Sequence, residues 1–486
     1  MPLNQDYSLL TPEFCLGALA ALIIALDLFV PRFRKDWLSL VAAAGLIGVA
    51  GMSFGWVNME SDFAGLIYVD DYTTFFRVFF TLTAAAVALM STNYVQTKLR
   101  HPGEFYALII LSTIGAIYMA AARELLTAYL SLELLSFSLY ILVSFAKDDA
   151  RSNEGGMKYM LLGAFSSAIF LYGLSLIYGS AGSTFYDEIA AAYTNGTSGF
   201  ELGVLAGLVL VLAGLGFKVA AVPFHMWTPD AYEGAPLPVT AYLSTTSKAA
   251  GFALILRLFS GAFMPIQDDW QWMVAALAAL TMVLGNLIAL QQHNIKRLLA
   301  YSSIGQVGYM LMAIAALSAS SAADSSSVSS ALLLHMAGYV ITNLAAFTCL
   351  IAWHDLTGEE EISGFRGMAE RAPLLAASLT AALFSLSGMP LFAGFFTKFI
   401  LFQSVASSGF LWLAIIAVTM SFVSLYYYLM VIKEIYISAP DEPGRLAVPP
   451  LMAGLTVLLV AGIFYAGLYP RHLLEAAQEA TKVLFV

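Results

Sequence analysis

Long apolar runs, separated by short polar loops, fill almost the whole chain. A run of about 20 apolar residues is long enough to cross the roughly 30 Å hydrocarbon core of a bilayer as a helix. The pattern therefore predicts an all-α polytopic membrane protein with about fourteen transmembrane helices. The predicted spans lie near residues 9–30, 37–57, 72–94, 105–122, 124–146, 156–179, 202–224, 237–260, 270–291, 297–318, 329–353, 373–402, 407–437 and 449–469.

Composition agrees with the pattern and excludes several function classes. Of the 486 residues, 60% are hydrophobic and only 11% are charged, whereas soluble domains have about 25% charged residues. The two cysteines, Cys15 and Cys349, both fall in apolar runs, which argues against a disulfide framework, a zinc site or an iron–sulfur cluster. The longest loops, 180–201, 319–328 and 354–372, are too short to hold a nucleotide- or haem-binding module. We expect no cofactor in this chain and no nucleic-acid partner.

The basic residues of the loops indicate an orientation. Loops after odd-numbered spans contain thirteen lysines and arginines, whereas loops after even-numbered spans contain only Arg123. Because cytoplasmic loops are enriched in lysine and arginine, both termini are expected on the opposite, outer side. The thirteen are Arg32, Arg34, Lys35, Lys98, Arg100, Lys147, Arg151, Lys296, Arg297, Arg366, Arg371, Lys433 and Arg445.

Two predicted spans, the seventh and the twelfth, are interrupted. Each joins glycines, a proline (Pro223 or Pro390) and a lysine (Lys218 or Lys398). Proline removes a backbone hydrogen bond, and non-helical backbone at membrane depth survives only inside protein or beside a cavity. Paired interruptions favour two inverted five-helix repeats, although two ordinary proline kinks are the alternative. The expected units are helices 1–3 at 1–104, repeats at 105–260 and 261–437, and helix 14 at 438–486, with nothing after that helix.

Five ionisable residues lie inside apolar runs: Glu133, Lys158, Lys218, Lys248 and Lys398. A charge at the centre of a transmembrane helix costs between about 2.5 and 17 kcal/mol, depending on the scale. Five such residues on separate predicted helices indicate a polar path that moves protons or cations. A set of purely structural ion pairs is the alternative, because pairing also offsets the free-energy cost of burying a charge.

Individual roles follow from depth and neighbours. Glu133 is expected to pair with Lys218, and hydroxyl residues at 244–247 surround Lys248, which suits a lysine that gains and loses protons. His225, after the seventh-span break, and His335 are candidate proton relays, with core histidines as the alternative.

Other charged residues lie nearer the predicted span ends. Lys158 is close enough to a span end to reach the surface instead of joining the path. Arg77 and Arg257, about one turn from span ends, are expected to do the same. Asp230 and Glu233 are expected in a loop.

Four segments carry a family resemblance: GFKVAAVPFHMWTPDAYEGAPLPVTAYLSTTSKAA (216–250), SLELLSFSLY (131–140), HNIKRLLAYSSIGQVGYM (293–310) and SGMPLFAGFFTKF (387–399). The chain closely resembles the antiporter-like membrane subunits of respiratory complex I (NADH:quinone oxidoreductase) and of related multisubunit cation/proton antiporters. The resemblance covers about 70–436 and is most similar to the bacterial N-type subunits.

The resemblance implies that Glu133 pairs with Lys218, that Lys248 is the central proton carrier and that Lys398 connects to the opposite side. It also matches His225 to the histidine of the family's broken helix. It implies that this chain has no cofactor, because FMN, iron–sulfur clusters and quinone belong to partner subunits. Other membrane and peripheral subunits of the complex would be the partners, in the lipid bilayer of the bacterial plasma (inner) membrane.

Two positions depart from the wider family. Asn343 stands where the larger members typically carry a lysine, and Gln306 stands where relatives often carry a histidine. The first departure fits the N-type, and the second puts a relay role at position 306 in doubt. The rival functions are a subunit of a sodium/proton antiporter, a membrane subunit of a hydrogenase-linked complex, and a scaffold whose charge pairs are structural.

Overall fold

A computed structural model describes residues 6–29, 35–196, 201–440 and 444–485. The described part is almost entirely helical, as predicted. The α-helices are α1 (Thr11–Phe29), α2 (Trp37–Ser53), α3 (Asp71–Met90), α4 (Thr92–Lys98), α5 (Pro102–Ala121), α6 (Leu125–Val143), α7 (Ala150–Ala181), α8 (Tyr186–Thr194), α9 (Glu201–Val219), α10 (Trp227–Gly234), α11 (Leu237–Tyr242), α12 (Lys248–Ser260), α13 (Gln267–Ala289), α14 (Ile295–Ala315), α15 (Ala322–Thr357), α16 (Met368–Arg371), α17 (Pro373–Ser387), α18 (Ala393–Val405), α19 (Leu411–Tyr436), α20 (Pro450–Leu468) and α21 (Arg471–Lys482).

Shorter elements complete the secondary structure. Two antiparallel strands, β1 (Ser61–Phe63) and β2 (Ile67–Val69), form a hairpin in which Ser61 is opposite Val69. The hairpin precedes α3 and bridges to Ala122 between α5 and α6. Two π-helical segments, Leu243–Ser247 and Ala406–Phe410, join α11 to α12 and α18 to α19, and four 3-10 turns cover Tyr7–Leu10, Phe54–Trp56, Met264–Ile266 and Ile362–Phe365.

Local sequence signals explain where several helices begin and end. The side chains of Asp70, Glu124 and Asn294 accept hydrogen bonds from backbone N–H groups in the first turns of α3, α6 and α14. These caps satisfy donors that would otherwise lack a partner. Gly182 and Gly358 end α7 and α15 in the left-handed conformation, at φ 78° and 80°, which glycine adopts without a steric penalty.

Twelve helices of the described part are long and apolar enough to cross a membrane. The eighth predicted span is not among them as one helix, because the π segment divides it into α11 and α12. The twelfth is divided between α17 and α18, and the second of these continues through a kink at Gly409 into α19. The chain is therefore a multi-pass membrane protein, and about fourteen crossings is an approximate count.

The two predicted interruptions are present. The first break separates α9 from α10 and contains Ala220, at φ 66°, and Pro223. The second separates α17 from α18 and contains Pro390 and Leu391, at φ 78°. A left-handed conformation costs a residue with a side chain about 1–2 kcal/mol, so both breaks are held by their surroundings. The arrangement of the helices into two inverted repeats stays a prediction.

Three predictions about connections were wrong. The segment predicted as the loop 180–201 contains α8, and α15 extends beyond the predicted eleventh span into both neighbouring loops. The C-terminal region contains a second helix, α21, after α20; its alternating charges lowered its hydropathy below that of a span.

Arg32 and Arg34, which count toward the predicted orientation, lie outside the described residues.

The most enclosed helices lie at the centre of the bundle and carry the candidate site. Helices α14 and α15 are almost wholly buried. Helix α14 packs on α13 and contacts α10 and α12, while α15 packs on α17, α18, α20 and α21. Polar side chains on α14 and α15 consequently face other helices rather than lipid.

Candidate functional site

Lys218 lies in the last turn of α9, immediately before the first break. Its side chain is buried, and its Nζ donates a hydrogen bond to Ser136 Oγ on α6 at 3.0 Å. A cavity of about 10 Å³ adjoins the amine and is lined by Ser136, Ser166 and Ser167. Because a water molecule needs about this volume and several polar neighbours, the cavity suits one water.

Glu133 faces α7 instead of making the predicted ion pair. Its carboxylate accepts a hydrogen bond from Ser167 Oγ, and within the described residues no ion pair joins Glu133 to Lys218. Ser136 contacts the lysine from a position one turn further along α6. The prediction of a direct pair was therefore wrong, although Ser167 and Lys218 line the same small cavity.

Lys248 begins α12 directly after the π segment 243–247. Its buried Nζ donates to Ser303 Oγ on α14 and lies 5.6 Å from the centre of the Tyr232 ring. No carboxylate pairs with this amine in the described part of the chain. The hydroxyls of Thr246 and Ser247, which the sequence placed beside Lys248, are buried and have no hydrogen-bond partner among the described residues.

Lys398 lies in α18, after the second break. Its buried Nζ donates to the carbonyl oxygen of Leu386 at 2.7 Å and to Ser421 Oγ at 3.2 Å, and it lies 5.0 Å from the Tyr309 ring centre. In a continuous helix the Leu386 carbonyl would accept from residue 390. Residue 390 is a proline, which has no N–H. The proline thus leaves an acceptor for the lysine.

Tyr339 connects the surroundings of Lys248 to those of Lys398. Its hydroxyl donates to Ser303 Oγ at 2.8 Å, the oxygen that also accepts from Lys248. Tyr339 also lines a cavity of about 10 Å³ with Gln306, His335 and Lys398. Ser303 and Tyr339 were missed at the sequence level. Tyr339 lies four residues from His335 on α15, so helical periodicity could have placed the two side chains on one face.

The second cavity contains unsatisfied polar atoms. Gln306 Oε1 and His335 Nε2 are buried without a hydrogen-bond partner in the described residues. Their other polar atoms are engaged, since Gln306 Nε2 donates to the Leu386 oxygen at 3.2 Å and His335 Nδ1 lies 3.1 Å from Thr397 Oγ1. A water in this cavity would satisfy both free atoms.

Two further residues, His225 and Asn343, are less connected. His225 is buried in the first break, and its Nδ1 has no partner among the described residues. No hydrogen bond joins it to Lys218 or Lys248 in that part of the chain. Asn343 donates to the Tyr339 carbonyl of its own helix at 2.9 Å and brings no charge to the site.

Lys158 belongs to a surface ion network. Its Nζ lies 2.8 Å from carboxylate oxygens of both Glu154 and Asp230, and 45% of its side chain is exposed. Arg297 joins the same network through Asp230 at 2.9 Å and Glu233 at 2.8 Å. Asp230 and Glu233 lie in α10 and not, as predicted, in a loop. The network holds α10 against α7 and α14.

The prediction that Arg77 and Arg257 reach the surface was wrong. Arg77 is fully buried and donates to both carboxylate oxygens of Glu13, at 2.7 and 3.1 Å. Arg257 likewise donates to both oxygens of Asp70, at 2.6 and 2.9 Å. The acidic partners lie far away in the sequence, so their proximity depends on tertiary packing.

Comparison with known proteins agrees with the geometry. The family model described as NADH:quinone oxidoreductase/Mrp antiporter, TM, matches residues 122–424. NADH-quinone oxidoreductase subunit N of Moorella thermoacetica is 44% identical over 481 residues, which cover 98% of this chain and 99% of the relative.

Two solved structures share the fold. A chain of respiratory complex I from Thermus thermophilus is 30% identical, with a TM-score of 0.80 and coverage of 96% of this chain and 99% of that one. A chain of the membrane-bound sulfane sulfur reductase, an archaeal respiratory membrane complex, has a TM-score of 0.87 at 24% identity, covering 99% and 98%. The broken helices, the buried lysines and these relatives agree: the chain belongs to the proton-translocating, antiporter-like subunits of NADH:quinone oxidoreductase, and among them to the subunit N family.

Proposed function

We propose that protons cross the membrane through Lys218, Lys248 and Lys398 of this chain. The observation that carries the proposal is the Ser303–Tyr339 link, which joins the amine of Lys248 to the cavity beside Lys398. Hydroxyl groups both donate and accept, so Ser303 and Tyr339, with one water in the cavity, would form a continuous route for a proton.

The chemistry of the three lysines suits this role. Each amine is buried against neutral oxygens, and the described residues place no carboxylate within ion-pair distance. A lysine in such surroundings can release and regain its proton, whereas an arginine stays charged. Glu133 acts on Lys218 across the Ser167 cavity, and His225 and His335 are secondary relays. Lys158, held in the surface network, is not part of this path.

The setting of the chain follows from the family. We infer that it lies in the bacterial plasma (inner) membrane, with the lysine- and arginine-rich loops in the cytoplasm and both termini outside. Its partners are the other membrane and peripheral subunits of complex I. FMN, iron–sulfur clusters and quinone belong to those partners, and quinone reduction there drives the protons here. The inverted repeats at 105–260 and 261–437 would each contribute one broken helix.

The test is proton pumping by the whole complex in proteoliposomes. We expect Lys218→Ala, Lys248→Ala and Lys398→Ala each to lower NADH-driven proton uptake about tenfold or more, as for the loss of an essential proton-transfer group. Lys433→Ala is the matched control, because Lys433 is exposed on α19. Flavin and iron–sulfur absorbance of each preparation verifies assembly. Wild-type pumping in the Lys248→Ala complex would refute the path.

A further inference from the structure

Arg257 lies on α12, the helix that begins with Lys248, and occupies the opposite end of that helix. Arg257 lies nine positions after Lys248 on α12, which corresponds to a rise of about 14 Å. The Arg257 guanidinium donates to Asp70 through two nitrogens, to the Ala120 carbonyl at 3.0 Å and to Thr73 Oγ1 at 3.1 Å. The end of α12 that faces the start of α3 is therefore filled by a fully engaged cation.

Aromatic rings and a second arginine cover this cation. The Arg257 guanidinium lies 4.8 Å from the Tyr68 ring centre and 4.5 Å from that of Tyr72. Arg123 lies 5.1 Å from the same Tyr68 ring and pairs with Asp62 at 2.9 Å. Arg123 is also the lone basic residue that the sequence placed in the loops after even-numbered spans. Two guanidinium groups are thus stacked through Tyr68 at this face of the molecule.

The two charged groups at the centre of this stack, Arg257 and Asp70, do not readily pass a proton. Arginine is not deprotonated in proteins. Burial alone would raise the pKa of Asp70, but the ion pair with Arg257 and the backbone hydrogen bond from Thr73 hold that pKa below its usual range. The carboxylate consequently stays charged and occupied, so it does not accept a proton that arrives along α12.

The surroundings of Lys398 are different. Its hydrogen-bond partners are a backbone carbonyl and the Ser421 hydroxyl. Ser421 also lines, with Lys398, an apolar groove of about 200 Å³ between α18 and α19. The described residues place no arginine in contact with this amine. A fixed cation therefore closes the end of α12, whereas the groups that contact Lys398 in the described residues are neutral.

We propose that the Arg257–Asp70 ion pair is a proton barrier, which prevents protons on Lys248 from leaving directly along α12 and so directs them toward Lys398. This inference rests on the path in the proposed function. The ion pair then sets the direction in which protons move, in addition to holding α3 against α12.

The test is passive proton flux through the whole complex in proteoliposomes, with no NADH and an imposed membrane potential. We expect Arg257→Gln to raise this flux, because it removes the fixed cation and leaves Asp70 free to accept protons. At an effective dielectric constant of about 20, one charge about 14 Å away changes passage roughly tenfold. Asp70→Asn should not raise the flux, because the guanidinium remains and no carboxylate offsets its charge.

Arg77→Gln is the matched control. The Glu13–Arg77 pair is equally buried and bidentate, but α1 and α3 contain no lysine, so this variant should stay tight. A flux in Asp70→Asn equal to that in Arg257→Gln would show a packing seal and overturn the barrier. If Arg257→Gln does not assemble, Asp70→Asn still tests the barrier, since a raised flux in that variant contradicts a charge-based barrier.

The double variant Arg257→Gln/Lys248→Ala identifies the route. We expect its passive proton flux to equal that of the wild type. A raised flux in the double variant would overturn the inference, because the protons would not come from Lys248. A tight Arg257→Gln complex combined with lost pumping in Lys248→Ala would refute the barrier and leave the path intact. Wild-type pumping in Lys248→Ala would instead refute the path.

Discussion

The ammonium group of Lys398 donates to the carbonyl oxygen of Leu386 at 2.7 Å, across the break between α17 and α18. The Leu386 oxygen has no backbone donor because Pro390 lacks an N–H, and it accepts instead from Lys398 and, at 3.2 Å, from Gln306 Nε2. The proline and the lysine, which the sequence showed only as neighbours in one span, are thus parts of a single arrangement. Pro390 leaves the Leu386 carbonyl without a backbone donor, and Lys398 donates to that carbonyl.

Pro390→Ala should weaken this arrangement. The alanine supplies an N–H that can compete with Lys398 for the Leu386 oxygen, and a hydrogen bond to a charged group contributes about 1.5–3 kcal/mol. We expect NADH-driven pumping to fall about tenfold while the complex still assembles. Pro373→Ala is the control, because Pro373 is at the start of α17, where a missing N–H costs little. Equal pumping by the two variants would contradict the role of the break.

Loss of Ser303 should lower proton pumping, because its hydroxyl oxygen accepts from two donors. Ser303→Ala removes the acceptor that Lys248 and Tyr339 share, and Tyr339→Phe removes only one of the two donors. Ser303→Ala leaves the Lys248 amine and the Tyr339 hydroxyl without this acceptor, at about 1–3 kcal/mol each, whereas in Tyr339→Phe the Ser303 oxygen still accepts from Lys248. We expect both variants to lower pumping, with Ser303→Ala the more severe. Thr348→Ala, which loses only a bond to its own helix, should pump normally; a similar loss there would indicate general destabilisation.

Lys158→Ala should leave pumping close to the wild-type rate. The amine is half exposed and lies in a surface network with Glu154 and Asp230, and exposed ion pairs contribute about 0–1 kcal/mol. The measurement is NADH-driven proton uptake beside Lys218→Ala in the same proteoliposomes. A loss as large as that of Lys218→Ala would return Lys158 to the path.

Arg77→Met should destabilise the subunit strongly. It leaves the Glu13 carboxylate buried without its partner, and breaking a buried pair in this way costs about 3–5 kcal/mol. Glu13→Leu/Arg77→Met should recover most of this loss, since no uncompensated charge remains. The temperature at which the complex loses NADH:quinone activity measures the effect. Equal inactivation temperatures for the single and double variants would contradict this account.

The Asp70 carboxylate predicts an acid dependence. Because its pKa in the folded protein is lowered, its stabilising contribution is complete above the unfolded-state value of about 3.9 and is lost as the pH falls below it. Asp70→Asn lacks this contribution at every pH. The difference in inactivation temperature between wild type and Asp70→Asn should therefore shrink below about pH 4. A constant difference would argue against the ion pair as its source.

Hydropathy, loop charge and the proline–lysine pattern were enough to predict the membrane fold, both broken helices and the three buried lysines. These are local properties of the sequence. The partners of the charges were not predictable in the same way. Glu133 contacts Ser167 on another helix, and Arg257 contacts Asp70, which lies 187 positions earlier in the sequence. A charge near a predicted span end is compatible with both surface exposure and burial, and only packing between helices decides.

The contacts of α21 have a consequence for how the subunit is made. This helix, near the end of the chain, packs on α15 and also on α3, one of the first helices to leave the ribosome. The surface of α3 that α21 covers therefore stays uncovered by α21 until every intervening span has been inserted. Completion of the native bundle is thus a late event in biosynthesis, and a fusion or cut near residue 471 would act on the earliest helices rather than on the end of the chain alone.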